Sequence, residues 1–107
     1  MAEKRDNRRV SFRAMVKYGP TEKREHTSFL TDMSDTGLCI KTNTVYRPGT
    51  KIFMSVEVED KEYPAEGIVM WAKIVPPQLV RVTKNGMGIQ FTFVDMELLE
   101  YYYARLT

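Results

Sequence analysis

Two short polar groupings carry residue types that can grip a ligand. Asp32-x-Ser34-x-x-Gly37 brings together a carboxylate acceptor, a hydroxyl that donates or accepts, and a glycine that lets backbone approach closely. Upstream, Arg9-x-x-x-Arg13 supplies two guanidinium forks. On an extended chain, residues four apart point to the same side, about 13 Å from one another. Such forks pair bidentately with phosphate oxygens and with the O6/N7 edge of guanine. Asp32 offers what arginine cannot, an acceptor for the N–H groups on guanine's other edge. The two groupings together could hold a guanine from both sides while arginine charge meets phosphate. The same residue types have a plainer use. Asp, Ser, Thr and Gly build ordinary turns, and a basic terminus is often a solvated tail.

The elements that must position these residues read as short strands. Phe12, Ala14, Val16 and Tyr18 alternate with Arg13, Met15 and Lys17, the period of a half-buried strand, and Gly19-Pro20 ends it. Residues 27–30 and 38–42 flank the Asp32–Gly37 stretch, which reads as a tight turn between them. Ile52, Met54, Val56 and Val58 mark a further strand, with Phe53 interrupting its polar face, and Asp60-Lys61 marks a hairpin tip. The return strand shows Tyr63, Ala65, Gly67, Val69 and Trp71 on one face. Pro76-Pro77 breaks the chain, residues 79–82 read as a short strand, and Lys84-Asn85-Gly86 signals another hairpin. Met87, Ile89, Phe91 and Phe93 then alternate. Asp95 reads as a helix N-cap, with Leu99, Tyr102, Tyr103 and Leu106 on one helical face. Short antiparallel strands at this spacing predict a small barrel or sandwich with the helix covering an open end or face.

Composition narrows the function. A chain of 107 residues suits one domain with one core. No apolar run approaches the roughly 20 residues needed to cross a bilayer. The charged start has no apolar segment behind it, which predicts no signal peptide and a cytoplasmic location, in keeping with a single cysteine, Cys39. One cysteine and one histidine, His26, cannot make a His/Cys metal site, and there is no glycine-rich phosphate loop. Net charge is only +2, but it is unevenly spread. Residues 1–13 hold five basic and two acidic residues, net +3, and the rest hold eleven and twelve, net −1. The arm therefore suits a compact anion, an acidic partner, a nucleic-acid backbone or a lipid surface.

The order and spacing of Arg9-x-x-x-Arg13 and Asp32-x-Ser34-x-x-Gly37 resemble the signature pair of PilZ domains. Gly67-x-Val69-x-Trp71 resembles a later strand of that family, Gly86-Met87-Gly88-Ile89-Gln90-Phe91 its last strand, and a helix over residues 98–106 follows. The resemblance covers residues 8–107. It implies a mainly β fold: a small closed six-stranded antiparallel barrel over residues 9–107, a C-terminal α-helix at about 96–106, and a flexible basic N-terminal arm over 1–8. It also implies a non-enzymatic receptor for the bacterial second messenger cyclic di-GMP, with no further cofactor. By position, Arg9 and Arg13 take phosphate and the guanine Hoogsteen edge. Asp32 takes guanine N–H groups, Ser34 hydrogen-bonds the ligand, and Gly37 shapes the turn. Arg8, directly before the motif, goes with binding of a stacked dimer of the nucleotide. The expected mechanism is ordering of the arm over the barrel when ligand phosphates neutralise it, read by a partner protein, with the receptor a monomer or weak dimer.

Arg5, Lys41 and Trp71 are secondary candidates for the ligand, and Lys73 a further cation. Trp71 ends an alternating apolar face, so core packing is expected of it. His26 is expected exposed in a loop, and Tyr101 to be the most exposed of the Tyr101-Tyr102-Tyr103 run. Two competing functions are a basic-arm nucleic-acid binder and a protein adaptor that has lost the nucleotide. The barrel body's net −1 and the lack of an aromatic-plus-basic stripe weigh against DNA. The complete signature pair weighs against the adaptor. No nucleophile, base and orienting group come together as an enzyme would need.

Overall fold

The computed structural model describes residues 9–11, 14–79 and 85–106. Six strands follow the alternation of the sequence: β1 Met15–Gly19, β2 His26–Met33, β3 Gly37–Lys41, β4 Lys51–Val58, β5 Lys61–Lys73 and β6 Gly86–Val94. All pair antiparallel and close a barrel in the order β1-β2-β3-β6-β5-β4. The pattern left barrel and sandwich open; closure decides for the barrel, which leaves no strand unpaired on either side. The chain expected over residues 1–8, together with Phe12 and Arg13, lies outside the described residues.

The inward residues are those of the period-2 pattern. Ala14, Val16 and Tyr18 face in from the first strand segment, and Ile52, Met54, Val56 and Val58 face in from β4, all buried. Ile40, Val69, Met87 and Ile89 meet them from the other side. The β4–β5 hairpin turns at Glu59 and Asp60, one residue before the expected tip, both with positive φ (51° and 69°). That geometry matches the right-handed twist of the flanking strands, although neither residue is the glycine such turns favour. Residues 77–79 form a single turn of 3-10 helix, Pro77–Leu79, and not the start of a strand. The remainder of the expected strand, residues 80–82, lies outside the described residues, as does Lys84.

The helix α1, Met96–Ala104, begins where the sequence places it, and Asp95 Oδ1 accepts a hydrogen bond from the Glu97 N–H at 2.8 Å. Its buried face is rotated from the expected one. Leu98 and Tyr102 are fully buried and join the core, whereas Tyr103 is 44% exposed. Tyr101, expected to be the exposed tyrosine, is instead half-buried. Its hydroxyl reaches Glu59 Oε2 at 3.4 Å beside the β4–β5 turn, and Arg105 lies over its ring. His26 is likewise not a loop residue. It opens β2, half-buried, with its Nε2 2.7 Å from the Tyr46 hydroxyl and its ring beside Tyr18.

Three register shifts interrupt the alternation, and each changes which way a side chain points. In β2 the register passes from Leu30↔Ile40 to Asp32↔Cys39, leaving Thr31 as the extra residue. Strict alternation from inward Leu30 would bury Asp32; the bulge turns it out beside Cys39 and turns Met33 in. In β5 the register passes from Val69↔Ile89 to Trp71↔Gly88, with Met70 extra. Trp71, expected on the inner face with Val69, is therefore on the outer face and 46% exposed. A third shift, between Glu66 and Gly67, makes Thr92 the extra residue and leaves Phe93 exposed, where the alternation with Met87 and Ile89 expects it inside; Phe91, still in phase with Ile89, is half-buried against the core.

Candidate functional site

The Thr31 and Met70 bulges bring their outward residues into one row. Across β2, β3, β6 and β5 the register aligns Asp32 with Cys39, Cys39 with Gly88, and Gly88 with Trp71. A carboxylate at one end and an indole at the other thus flank a low floor made by a thiol and a glycine. The floor is low because β6 carries no side chain there. A Cβ built on Gly88 would lie 2.1 Å from the Trp71 Nε1, so the indole occupies the space of the missing side chain.

Arg9 reaches this row from the segment before β1. Val10 makes an isolated antiparallel bridge to Met33, its N–H donating to Met33 O at 2.9 Å and its carbonyl accepting from Met33 N–H at 3.0 Å. The bridge lays Arg9 alongside the end of β2. There its guanidinium pairs with Asp32 Oδ1 at 2.9 Å, about half exposed on the arginine side. Arg9 also lines an open cavity of about 180 Å³, together with Thr36, Gly37, Met70, Trp71 and Gln90.

The polar stretch is shorter as a turn than its sequence suggests. Asp32 belongs to β2 and Gly37 opens β3, so only Ser34, Asp35 and Thr36 connect them. Ser34 N–H donates to Gly37 O at 2.8 Å, and Ser34 Oγ accepts from Thr36 N–H at 3.2 Å and lies 3.1 Å from Thr36 Oγ1. The serine is 1% exposed, its hydroxyl spent on the turn. Thr36 O accepts from Phe91 N–H at 2.7 Å, which ties the turn to β6. Gly37 is required by that closeness: a Cβ there would lie 2.2 Å from Ile89 O. The close approach it permits is that of a neighbouring strand. Asp35 Oδ1 is buried without a hydrogen-bond partner among the described residues.

Electrostatics follow from this packing. Burial pushes the Cys39 thiol upward, and the Asp32 carboxylate adds to that shift while Arg9 opposes it. Cys39 is therefore a neutral thiol at physiological pH and lacks the thiolate character of a nucleophile. Lys41 lies on the outer face of β3 one row further along, opposite Gly86, and Gly86 is opposite Lys73. The structure thus gathers Arg9, Asp32, Gly37, Trp71 and Lys41 on one outer face and turns Ser34 away from it. Arg5, Arg8 and Arg13 lie outside the described residues. Met70, Cys39, Gln90 and Gly88 share this face and were not singled out as site residues from the sequence. The repeated Gly-x-Gly of 86–88 opposite an aromatic was the available signal for the floor.

A model of the PilZ domain matches residues 3–105. The chain belongs to the PilZ domain family. PilZ domains form a family of cyclic di-GMP receptors and adaptors, binding modules with no catalytic family indicated. The barrel is similar to the solved structure of the Bacillus subtilis inhibitor of motility (MotI/DgrA), with a TM-score of 0.73 at 16% identity. The match covers 98% of this chain and 52% of that one, so this PilZ chain spans about half the length of its structural neighbour. At that identity the likeness is one of fold. No curated protein sequence matches the chain. Among the described residues, no helix of this PilZ domain is long and apolar enough to cross a membrane.

Proposed function

We propose that this PilZ domain is a cyclic di-GMP receptor that acts as an adaptor in the bacterial cytoplasm. The reading is carried by the Arg9–Asp32 pair, a fork donor and a carboxylate acceptor 2.9 Å apart on an open outer face. A guanine presents O6 and N7 as acceptors on one edge and N–H donors on the other, which suits these two side chains. The ligand's phosphates meet the remaining arginines of the signature, Arg13 and, for a second stacked nucleotide, Arg8. Ser34 supports the site by closing the turn between β2 and β3; Gly37 lets β3 lie against β6. Neutralisation of the basic arm, residues 1–8, by phosphate orders it over the barrel, and a partner protein reads the rearranged surface. Fixing a residue costs about 1–2 kcal/mol, so charge-assisted hydrogen bonds of ~1.5–3 kcal/mol each offset the ordering of a handful of residues.

The test is calorimetric titration of the chain with cyclic di-GMP at physiological salt, with GTP and a DNA oligonucleotide in parallel. Saturable binding of cyclic di-GMP alone, weakened at least about tenfold in Arg13→Ala and Asp32→Ala, is the expected result. Steeply salt-dependent binding to the oligonucleotide would move the function to the basic segment. Silence with every ligand, from folded protein, would leave a protein adaptor.

A further inference from the structure

The outer face of the barrel carries an apolar pair that the core does not use. The register sets Phe29 of β2 opposite Met15 of β1, and Met15 opposite Glu57 of β4. Val16 and Leu30, their neighbours along the strands, point into the core, so alternation turns Met15 and Phe29 outward. Phe29 is 60% exposed and Met15 37%. Together they floor an open depression of about 300 Å³, lined otherwise by Ala14, Glu57, Glu59 and Asp60. An aromatic ring and a pliable thioether held open side by side, inside a polar rim, are what protein interfaces concentrate.

The rim next to this pair has one sign. The register aligns Lys41, Phe29, Met15, Glu57 and Glu62 in one outward row across β3, β2, β1, β4 and β5. Glu57 and Glu62 thus stand directly opposite each other, a like-charge pairing that disfavours the strand contact. Glu62 is compensated, since Ser55 Oγ donates to it at 2.8 Å and the Lys17 ammonium lies 3.6 Å away. The side chains of Glu57 and Asp60 have neither hydrogen bond nor ion pair among the described residues. Lys41 stands at the far end of the row, beyond Phe29.

This chemistry selects among occupants. The carboxylates repel nucleic acid and anionic lipid. A two-fold contact between copies matches a patch with itself, and here it would set acidic rim against acidic rim. The chain's own basic segment, residues 1–8, has Lys4, Arg5 and Arg8 but no aromatic or branched aliphatic side chain to fill the apolar floor. We propose that the Met15–Phe29 face docks a cationic segment of a partner protein. One large apolar side chain enters between Phe29 and Met15, and flanking lysines or arginines meet Glu57 and Asp60. This surface needs no nucleotide at the Arg9–Asp32 site and does not rest on the receptor reading.

The probe is a capped synthetic peptide with one leucine between pairs of lysines. It is titrated into the isotope-labelled, ligand-free chain and followed by amide chemical shifts. Expected are saturable shifts centred on Met15, Phe29 and Glu57, lost in Phe29→Ser, with about fivefold weaker binding by the Glu57→Gln/Asp60→Asn double variant. Control peptides with serine for the leucine, or glutamates for the lysines, leave these amides in place. The amide spectra of the variants check that the barrel is intact. Shifts absent from this face, or equal with the serine control, overturn the docking surface; the receptor reading is decided separately by the cyclic di-GMP titration. If Lys4→Gln/Arg5→Gln/Arg8→Gln moves the same amides with no peptide present, the occupant is the chain's own basic segment. If dilution of the free chain moves them, it is a second copy. Either result overturns the partner assignment.

Discussion

Arg9 and Asp32 are ion-paired at 2.9 Å, so each of the two side chains best suited to a guanine edge already engages the other. A ligand that contacts both must part the pair or bridge it. An exposed pair of this kind contributes little to folding, at most about 1 kcal/mol. Arg9→Ala and Asp32→Asn are therefore expected to shift the urea midpoint only slightly while weakening cyclic di-GMP binding by about tenfold or more. Equal binding by either variant and the native chain would sink the assignment.

Gly37 and Ile89 set the tightest strand contact at the site. A methyl group at Gly37 would meet Ile89 O at 2.2 Å, a backbone atom that cannot swing aside. Gly37→Ala is expected to cost about 1–3 kcal/mol in urea unfolding, because β3 and β6 must separate. Unchanged stability would show that the strands have slack there.

Alkaline pH should weaken the fold in two stages. Burial raises the Cys39 thiol from its ordinary 9.0 and the Tyr18 hydroxyl from its ordinary 10.0. Both groups hold their protons more tightly folded than unfolded. Their contribution is complete below the ordinary values and is lost as pH climbs through the folded ones. Urea midpoints measured from about pH 8 to 11 should fall, with Cys39→Ala flattening the earlier part and Tyr18→Phe the later. A flat native profile would contradict the upward shift of both groups. Tyr18→Phe also loses the bond its hydroxyl donates to Thr44 O at 2.7 Å, about 1 kcal/mol at neutral pH.

The helix is anchored by two different devices that separate by size. Leu98→Ala leaves a hole in the core and is expected to cost about 2–5 kcal/mol. Asp95→Ala removes only the cap on Glu97 N–H, about 1 kcal/mol. Tyr103→Ala, on the open side, is expected to cost less than either. Chemical denaturation of the three variants gives the ranking, and a cost at Tyr103 rivalling that at Leu98 would mean a different helix face is buried.

The strands were legible because alternation is periodic and barrel cores are apolar; Ile52, Met54, Val56 and Val58 announce β4 without ambiguity. The order of the two signature motifs was legible too, and Arg9 does meet Asp32. What could not be read was phase. A bulge adds one residue without any mark in composition, and after it every side chain changes face. Counting by twos therefore placed Trp71 in the core, and no count would place Asp32 beside it in one row. Ser34 was legible only in part for a related reason: its hydroxyl suits a ligand and a turn equally, and the sequence does not show that it bonds Thr36 within the turn. The tyrosines of α1 differ by steps of about 100° around the axis, so a small error in helix phase exchanges Tyr101 for Tyr103.

Closure of the barrel restricts how any signal can leave it. Among the described residues each strand has a neighbour on both sides, so the sheet has no edge strand along which another protein could extend it. Recognition must then be written in side chains alone, on a scaffold whose backbone stays put. Relatives could therefore change listeners by exchanging a few surface residues while the hydrogen-bonded frame beneath is left untouched.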